Sequence, residues 1–359
     1  MKHFILGIFF STLAQASCEN TNFYLTKPHL FELPIVNQGD MNTCYAHSLA
    51  QLYNIDKGEG KKMMHPYWIA YNHKHRYLHW SPRKLDYSLM SWAQKDLKKT
   101  GSCEPAEVQS RLDALKNGVA YTDDQLLYAF SYFFKYKKLR SISTPEKFEK
   151  VFKGYLFKIQ ERSFDFERPW THAELHSILA PLREKISGIG MMTFLKKHVF
   201  HDCPRSEVTE ILASFGRKRE SNADLASRIE RLLAESKTIG IGYCAKPVYA
   251  RDPATSRDIK IKPRILRAAS FKCGAHYSVL VGSRKVKTEK GESCEYLLRN
   301  TYGEGQWAHE SMNCFCYDVM KKTLKDCKST EVAVNMRNLG CWVNREKMLN
   351  NTYDISYLK

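Results

Sequence analysis

The sequence is poor in residues that break structure and poor in acids. Glycine and proline number only 18 and 12 in 359 residues, which excludes collagen-like repetition and a Gly/Pro-rich disordered chain. Asp and Glu total 38 against 56 Lys and Arg, for a formal net charge of +18. That balance favours anionic surfaces as partners, yet no nucleic-acid recognition motif accompanies the charge. Beyond the first residues no apolar run is long enough to span a bilayer, and there is neither an internal repeat nor a low-complexity linker. What is abundant is core material: 43% of the residues are hydrophobic. Single cores stop growing at roughly 250 to 300 residues, so this length predicts two lobes.

The chain starts Met1-Lys2-His3, continues through the apolar run Phe4 to Leu13, and reaches Ala14-Gln15-Ala16. A charged start, an apolar middle and small residues in A-x-A order predict a signal peptide over 1–16, cleaved near Ala16, and hence a secreted or periplasmic protein. Lipidation at Cys18 is disfavoured, because Gln15 stands where a lipidation signal has Leu. The eleven cysteines fit an exported chain carrying disulfides. Their odd number leaves one thiol over if the rest pair.

Residues 17–236 read as an extended lead ending Leu33-Pro34-Ile35-Val36, a turn at Asn37 to Asn42, and then helices. Cys44 to Asn54 has Ala46, Leu49, Ala50 and Tyr53 on one face. Leu85, Leu89, Trp92 and Ala93 form a stripe stopped by Gly101, while Thr122-Asp123-Asp124 and Thr144-Pro145 open two strongly amphipathic helices. Thr171 with Glu174, and Ser221-Asn222-Ala223-Asp224, are N-terminal capping patterns. From Thr238 the character changes, and 237–359 reads as a β-rich half. Strands are expected at Ile239 to Tyr243, Ile259 to Lys262, His276 to Val281, Tyr296 to Arg299 and Tyr353 to Leu358, with a turn at Glu289 to Glu292.

The sharpest chemical signal is Asn37-Gln38-Gly39-Asp40-Met41-Asn42-Thr43-Cys44-Tyr45-Ala46-His47-Ser48, a cysteine at the start of a helix. Unpaired N–H groups and the helix dipole stabilise an anion there, so the thiol pKa is expected to be lowered toward a reactive thiolate. Acyl transfer also needs a base and an oxyanion site. With Gly274-Ala275-His276-Tyr277-Ser278-Val279-Leu280-Val281-Gly282 and Arg299-Asn300-Thr301-Tyr302-Gly303-Glu304-Gly305-Gln306-Trp307, the sequence resembles the papain-like (family C1) cysteine peptidases. The order Cys, His, Asn is the family's, and Gln38 stands six residues before Cys44, as the family signature requires.

The resemblance implies an α+β, papain-like two-lobe fold: a helical lobe with a large helical insertion beside an antiparallel β-rich lobe. It implies that Cys44 attacks a peptide carbonyl, that His276 holds and later delivers the proton, and that Asn300 orients His276. Gln38 and the backbone N–H of Cys44 would form the oxyanion hole, and Tyr302 would stand in for the family's Trp that shields the His–Asn bond. The substrate is a protein or peptide, and no cofactor or metal is implied. The chain departs from the family in three ways. It lacks the cysteine preceding the nucleophile in C-G-[SA]-C-[WY], since Met41-Asn42-Thr43 stands there. The Cys44-to-His276 spacing exceeds the usual roughly 130–150 residues by about 80 to 100. Cleavage near Ala16 leaves no room for a long inhibitory propeptide, so the helical insertion is expected to cover or shape the cleft in its place.

The same thiol chemistry also serves a cell-wall peptide hydrolase, a transferase or a deamidase, and a catalytically silent binding module is the reading from another class. His73, His75 and His79 have spacing that suits Zn²⁺ as well as a solvated helix. Cys314, Cys316, Cys327 and Cys341 suit disulfides in an exported chain and, alternatively, a metal. Arg257, Lys260, Lys262, Arg264, Arg267 and Lys272 present positive charge ahead of His276, beside the cleft or on a solvated strand face.

Overall fold

The computed structural model describes residues 18–33, 35, 38, 43–58, 64–77, 88–135, 142, 144–160, 171–210, 212–216, 221–249, 274–289, 291–301, 312–328 and 336–359. The expected signal peptide, the strand at Ile259 to Lys262 and the six basic residues before His276 lie outside them.

The architecture is α+β. The helices run α1 (Phe23–Thr26), α2 (Cys44–Asp56), α3 (Pro66–Tyr77), α4 (Met90–Thr100), α5 (Pro105–Lys116), α6 (Asp123–Lys135), α7 (Pro145–Gln160), α8 (His172–Leu179), α9 (Arg183–Ile186), α10 (Met191–His198), α11 (Asn222–Ala234), α12 (Ala245–Tyr249) and α13 (Arg345–Asn351). The strands are β1 (Thr21–Asn22), β2 (Ser102–Cys103), β3 (Arg205–Ser206), β4 (Leu212–Gly216), β5 (Ile239–Cys244), β6 (Ala275–Thr288), β7 (Gly291–Arg299), β8 (Asn313–Asp318), β9 (Thr323–Lys328), β10 (Met336–Asn344) and β11 (Thr352–Leu358). Nine of these strands make one antiparallel sheet in the order β4-β11-β5-β6-β7-β10-β8-β9, with β1 paired to β6.

Local sequence explains most helix boundaries. Thr171 and Ser221 each close a reciprocal capping box, with Glu174 and Asp224. Gly101 ends α4 at φ 77°, a left-handed conformation open to glycine, with the carbonyl of Ser206 so close that a Cβ would sit 2.7 Å from it. The lead differs from its expectation. Phe23 to Phe31 forms α1 and a 3₁₀ turn rather than an extended segment, because the Asn22 side chain caps Tyr24 N–H and Pro28 starts the second turn. Sequence reading also left unassigned α3, α5, α10 and the strands β8 to β10.

α2 is the centre of the molecule. Every residue from Cys44 to Ile55 is buried, so the helix lacks a polar face; it packs on β5, β6 and β11 on one side and on α3 and α4 on the other. Helix and sheet side chains join in one contiguous core. Among the described residues four disulfides staple its periphery: Cys18–Cys294, Cys103–Cys203, Cys314–Cys341 and Cys316–Cys327. The last two turn the four-cysteine cluster into covalent bridges between β8, β9 and β10 rather than a metal site. Pairing of Cys18 with β7 also occupies the thiol that lipidation would use. Among the described residues no helix is long and apolar enough to cross a membrane.

β5 carries a glycine for a packing reason that reaches the centre of the sheet. A Cβ on Gly242 would lie 2.7 Å from the rings of both Tyr277 and Tyr353. Those rings cannot retreat, since the Tyr277 hydroxyl donates to Asp354 Oδ2 at 2.9 Å and the Tyr353 hydroxyl to the carbonyl of His276 at 3.2 Å. Gly242→Ala is therefore expected to lower stability by about 1–3 kcal/mol through overpacking, read as a shift of the urea midpoint at constant m-value.

Candidate active site

Cys44 is the first residue of α2, with Thr43 as N-cap. It is the free cysteine among the described residues. Its sulfur faces the backbone N–H groups of Cys44 and Tyr45 in the helix's first turn and that of Tyr277 on β6. Those donors favour the thiolate, but burial outweighs them and pushes the thiol up to about 11. The lowered pKa expected from the helix terminus is thus corrected: the N–H groups act in the expected direction, and desolvation reverses the net effect.

β6 lies beside α2 and carries His276, one residue before the Tyr277 amide that meets the sulfur. The imidazole Nε2 is 2.7 Å from Asn300 Oδ1. The same oxygen accepts from Thr301 N–H at 2.8 Å and from the Ser278 hydroxyl at 3.2 Å. An oxygen already holding two donors is an acceptor for the third, which fixes the proton on Nε2 and leaves Nδ1 as the basic nitrogen. Burial lowers the His276 pKa to about 4, against the opposing hydrogen bond that His276 donates to Asn300. At neutral pH the resting pair is therefore a thiol and a neutral imidazole.

The segment carrying Asn300 is held from two directions. Gln38 N–H donates to the Thr301 carbonyl at 2.7 Å, and the Thr301 hydroxyl donates to Gln38 Oε1 at 2.7 Å. With Oε1 occupied, the Gln38 amide presents Nε2 as its remaining donor. From the other side Gln51, two turns along α2 from Cys44, donates to the Asn300 carbonyl at 3.2 Å and accepts from Arg299 Nε at 2.8 Å. The remaining Arg299 donors go to the Tyr24 hydroxyl and the Leu33 carbonyl. Arg299 is 1% exposed and all of these partners are neutral.

Gln38, Cys44, His276 and Asn300 are all buried; hydrogen bonds link Gln38, Asn300 and His276 through Thr301, and Cys44 is near the backbone of Tyr277, the residue after His276. Tyr302 lies outside the described residues; among those described, the ring of Tyr243 packs edge-on against His276 at 5.6 Å, and its hydroxyl bonds Ser278 and Tyr249. Tyr243, Ser278, Thr301, Gln51 and Arg299 escaped sequence reading. Gln51 alone left a signal, as a polar residue seven positions after Cys44 on the same face of a buried helix. Of the histidine cluster, the His73 ring packs edge-on against Tyr45, the residue after Cys44, at 5.7 Å. His73 bonds Asp96 at 2.7 Å and Ser88 at 2.5 Å, tying α3 to α4. The side chain of His75, and His79, lie outside the described residues, and among those described no group of three ligands suits a metal.

Comparison with known proteins adds little. No family model matches the chain, and no curated protein matches it. The crystal structure of SERA5E from Plasmodium falciparum is similar at 11% identity, covering 60% of this chain and 84% of that one, with a TM-score of 0.20. That score is too low to support a shared fold.

Two outcomes follow from the geometry. In the unfolded chain His276 takes up a proton near its ordinary value of 6.5, whereas the folded site resists protonation down to about 4. The folded state then binds fewer protons than the unfolded state in that window, so stability falls as pH drops from 6.5 to 4, by on the order of 3 kcal/mol. His276→Gln should flatten this part of the stability–pH curve relative to the parent in urea titrations. Arg299→Met strands Gln51 Oε1 and the Leu33 carbonyl, and should cost about 3 kcal/mol or more in the same assay.

Proposed function

We propose that the protein is an exported papain-like cysteine peptidase that hydrolyses peptide bonds through Cys44, His276 and Asn300. The observation that carries this reading is the Asn300 Oδ1 contact with His276 Nε2, made next to the strand residue whose amide meets the Cys44 sulfur. In this reading the substrate carbonyl approaches Cys44 at the start of α2. His276 Nδ1 takes the thiol proton as the C–S bond forms, because the resting thiol and imidazole are both neutral. Developing negative charge on the carbonyl oxygen is met by Gln38 Nε2 and the Cys44 N–H. Asn300 holds the imidazole while its charge rises, and the proton passes to the leaving amine. Water, deprotonated by His276, then hydrolyses the thioester. The four disulfides support an oxidising compartment.

The depth of the pair favours a variant of this reading: Cys44 is 5% and His276 3% exposed, a setting suited to a narrow target rather than to any unfolded chain.

The test is intact mass after treatment with an epoxysuccinyl inhibitor, with Cys44→Ala as control and casein as substrate. One adduct, absent from the control, with casein cleaved, supports a general endopeptidase. The adduct without cleavage supports a narrow target, and no adduct overturns the reading. With a cleavable substrate in hand, Gln38→Ala should lower kcat by on the order of 10²–10³-fold through loss of an oxyanion donor.

A further inference from the structure

The hairpin of β8 and β9 ends in an exposed tip, Val319-Met320-Lys321-Lys322, between the paired residues Asp318 and Thr323. Val319 is 45% and Met320 75% exposed, two of the few large hydrophobic side chains so placed among the described residues. The tip is held rigidly. Asp318 Oδ1 accepts from Lys321 N–H at 3.0 Å, and Cys316–Cys327 and Cys314–Cys341 join β8 to β9 and to β10. β9 is the edge of the sheet, and all four tip residues are exposed.

Its electrostatics are one-sided. The two acids of the hairpin are occupied within the molecule: Asp326 pairs with Arg284 at 2.6 Å, and Asp318 with Lys325 at 3.5 Å. Lys321 and Lys322 are exposed and make no ion pair among the described residues. A four-residue protrusion cannot supply the roughly 800 Å² per partner of a stable protein interface. Two adjacent apolar side chains flanked by lysines match the boundary between acyl chains and anionic headgroups, and the net charge of +18 acts in the same direction.

We propose that the Val319–Lys322 tip is an anchor for an anionic lipid surface. Val319 and Met320 enter the headgroup–acyl boundary while Lys321 and Lys322 lie at the phosphates, holding the β-rich side of the molecule against the membrane reversibly. This role is independent of the peptidase reading.

The test is co-sedimentation of the full, disulfide-intact chain with vesicles of phosphatidylcholine alone and of phosphatidylcholine with phosphatidylserine. Binding to the anionic vesicles that weakens with added salt is expected, and Val319→Ser/Met320→Ser or Lys321→Glu/Lys322→Glu should each weaken it about tenfold. All four positions are exposed, and the mass of the intact disulfide form checks that the variants fold. Met320→Trp should show a blue-shifted emission on anionic vesicles only. The proposal is overturned by no vesicle binding, by binding that both double variants retain, by an unshifted Trp emission, or by tip-dependent self-association in place of vesicle binding.

Discussion

The guanidinium of Arg299 sits where three parts of the chain meet: the N-terminal lead through Tyr24 and Leu33, helix α2 through Gln51, and the Asn300 turn that follows it. A buried cation surrounded by neutral acceptors is costly to desolvate. It persists only where every donor is satisfied, so its partners are fixed in position relative to one another. That constraint sets the height of Asn300 against α2, and hence the position of the imidazole that Asn300 holds. Tyr24 passes the restraint outward by donating to the Leu339 carbonyl on β10.

The site is therefore built at the seam of a helix and a sheet. α2 contributes the thiol and, through Gln51, a support for the Asn300 carbonyl; β6 contributes the imidazole and the Ser278 hydroxyl. Because α2 is buried along its whole length, its placement is decided by packing on β5, β6 and β11. Gly242 permits the two tyrosine rings to fill the space behind His276. Burial is also what keeps both reactive groups neutral at rest, so the environment that gives the site its geometry also sets its protonation state.

The parts legible in the sequence were those written in contiguous residues. Capping boxes at Thr171 and Ser221, the glycine stop at Gly101, and the short runs around Gln38, Cys44, His276 and Asn300 declare themselves locally. What the sequence concealed is assembled across long separations. Tyr243 reaches His276 only because antiparallel register sets β5 against β6, and Thr301 meets Gln38 across most of the chain. Strands β8 to β10 were obscured by their cysteines, which read as a ligand or disulfide cluster before they read as alternating strand positions. The thiol pKa is the clearest case: the helix terminus is a local feature with a readable sign, while desolvation depends on the whole fold.

The disulfide between Cys18 and Cys294 joins residues 276 positions apart. During synthesis Cys18 emerges first, and its partner is the seventh of the eleven cysteines to appear. In that interval Cys44, Cys103, Cys203, Cys244 and Cys273 also emerge, and Cys44 is covered only when the sheet strands that come later in the chain pack on α2. Any early pairing that the fold does not keep is resolved by thiol–disulfide exchange as the sheet forms. A thiol enclosed before oxidation is complete is spared from pairing, which makes the order of folding and oxidation part of how Cys44 comes to be free.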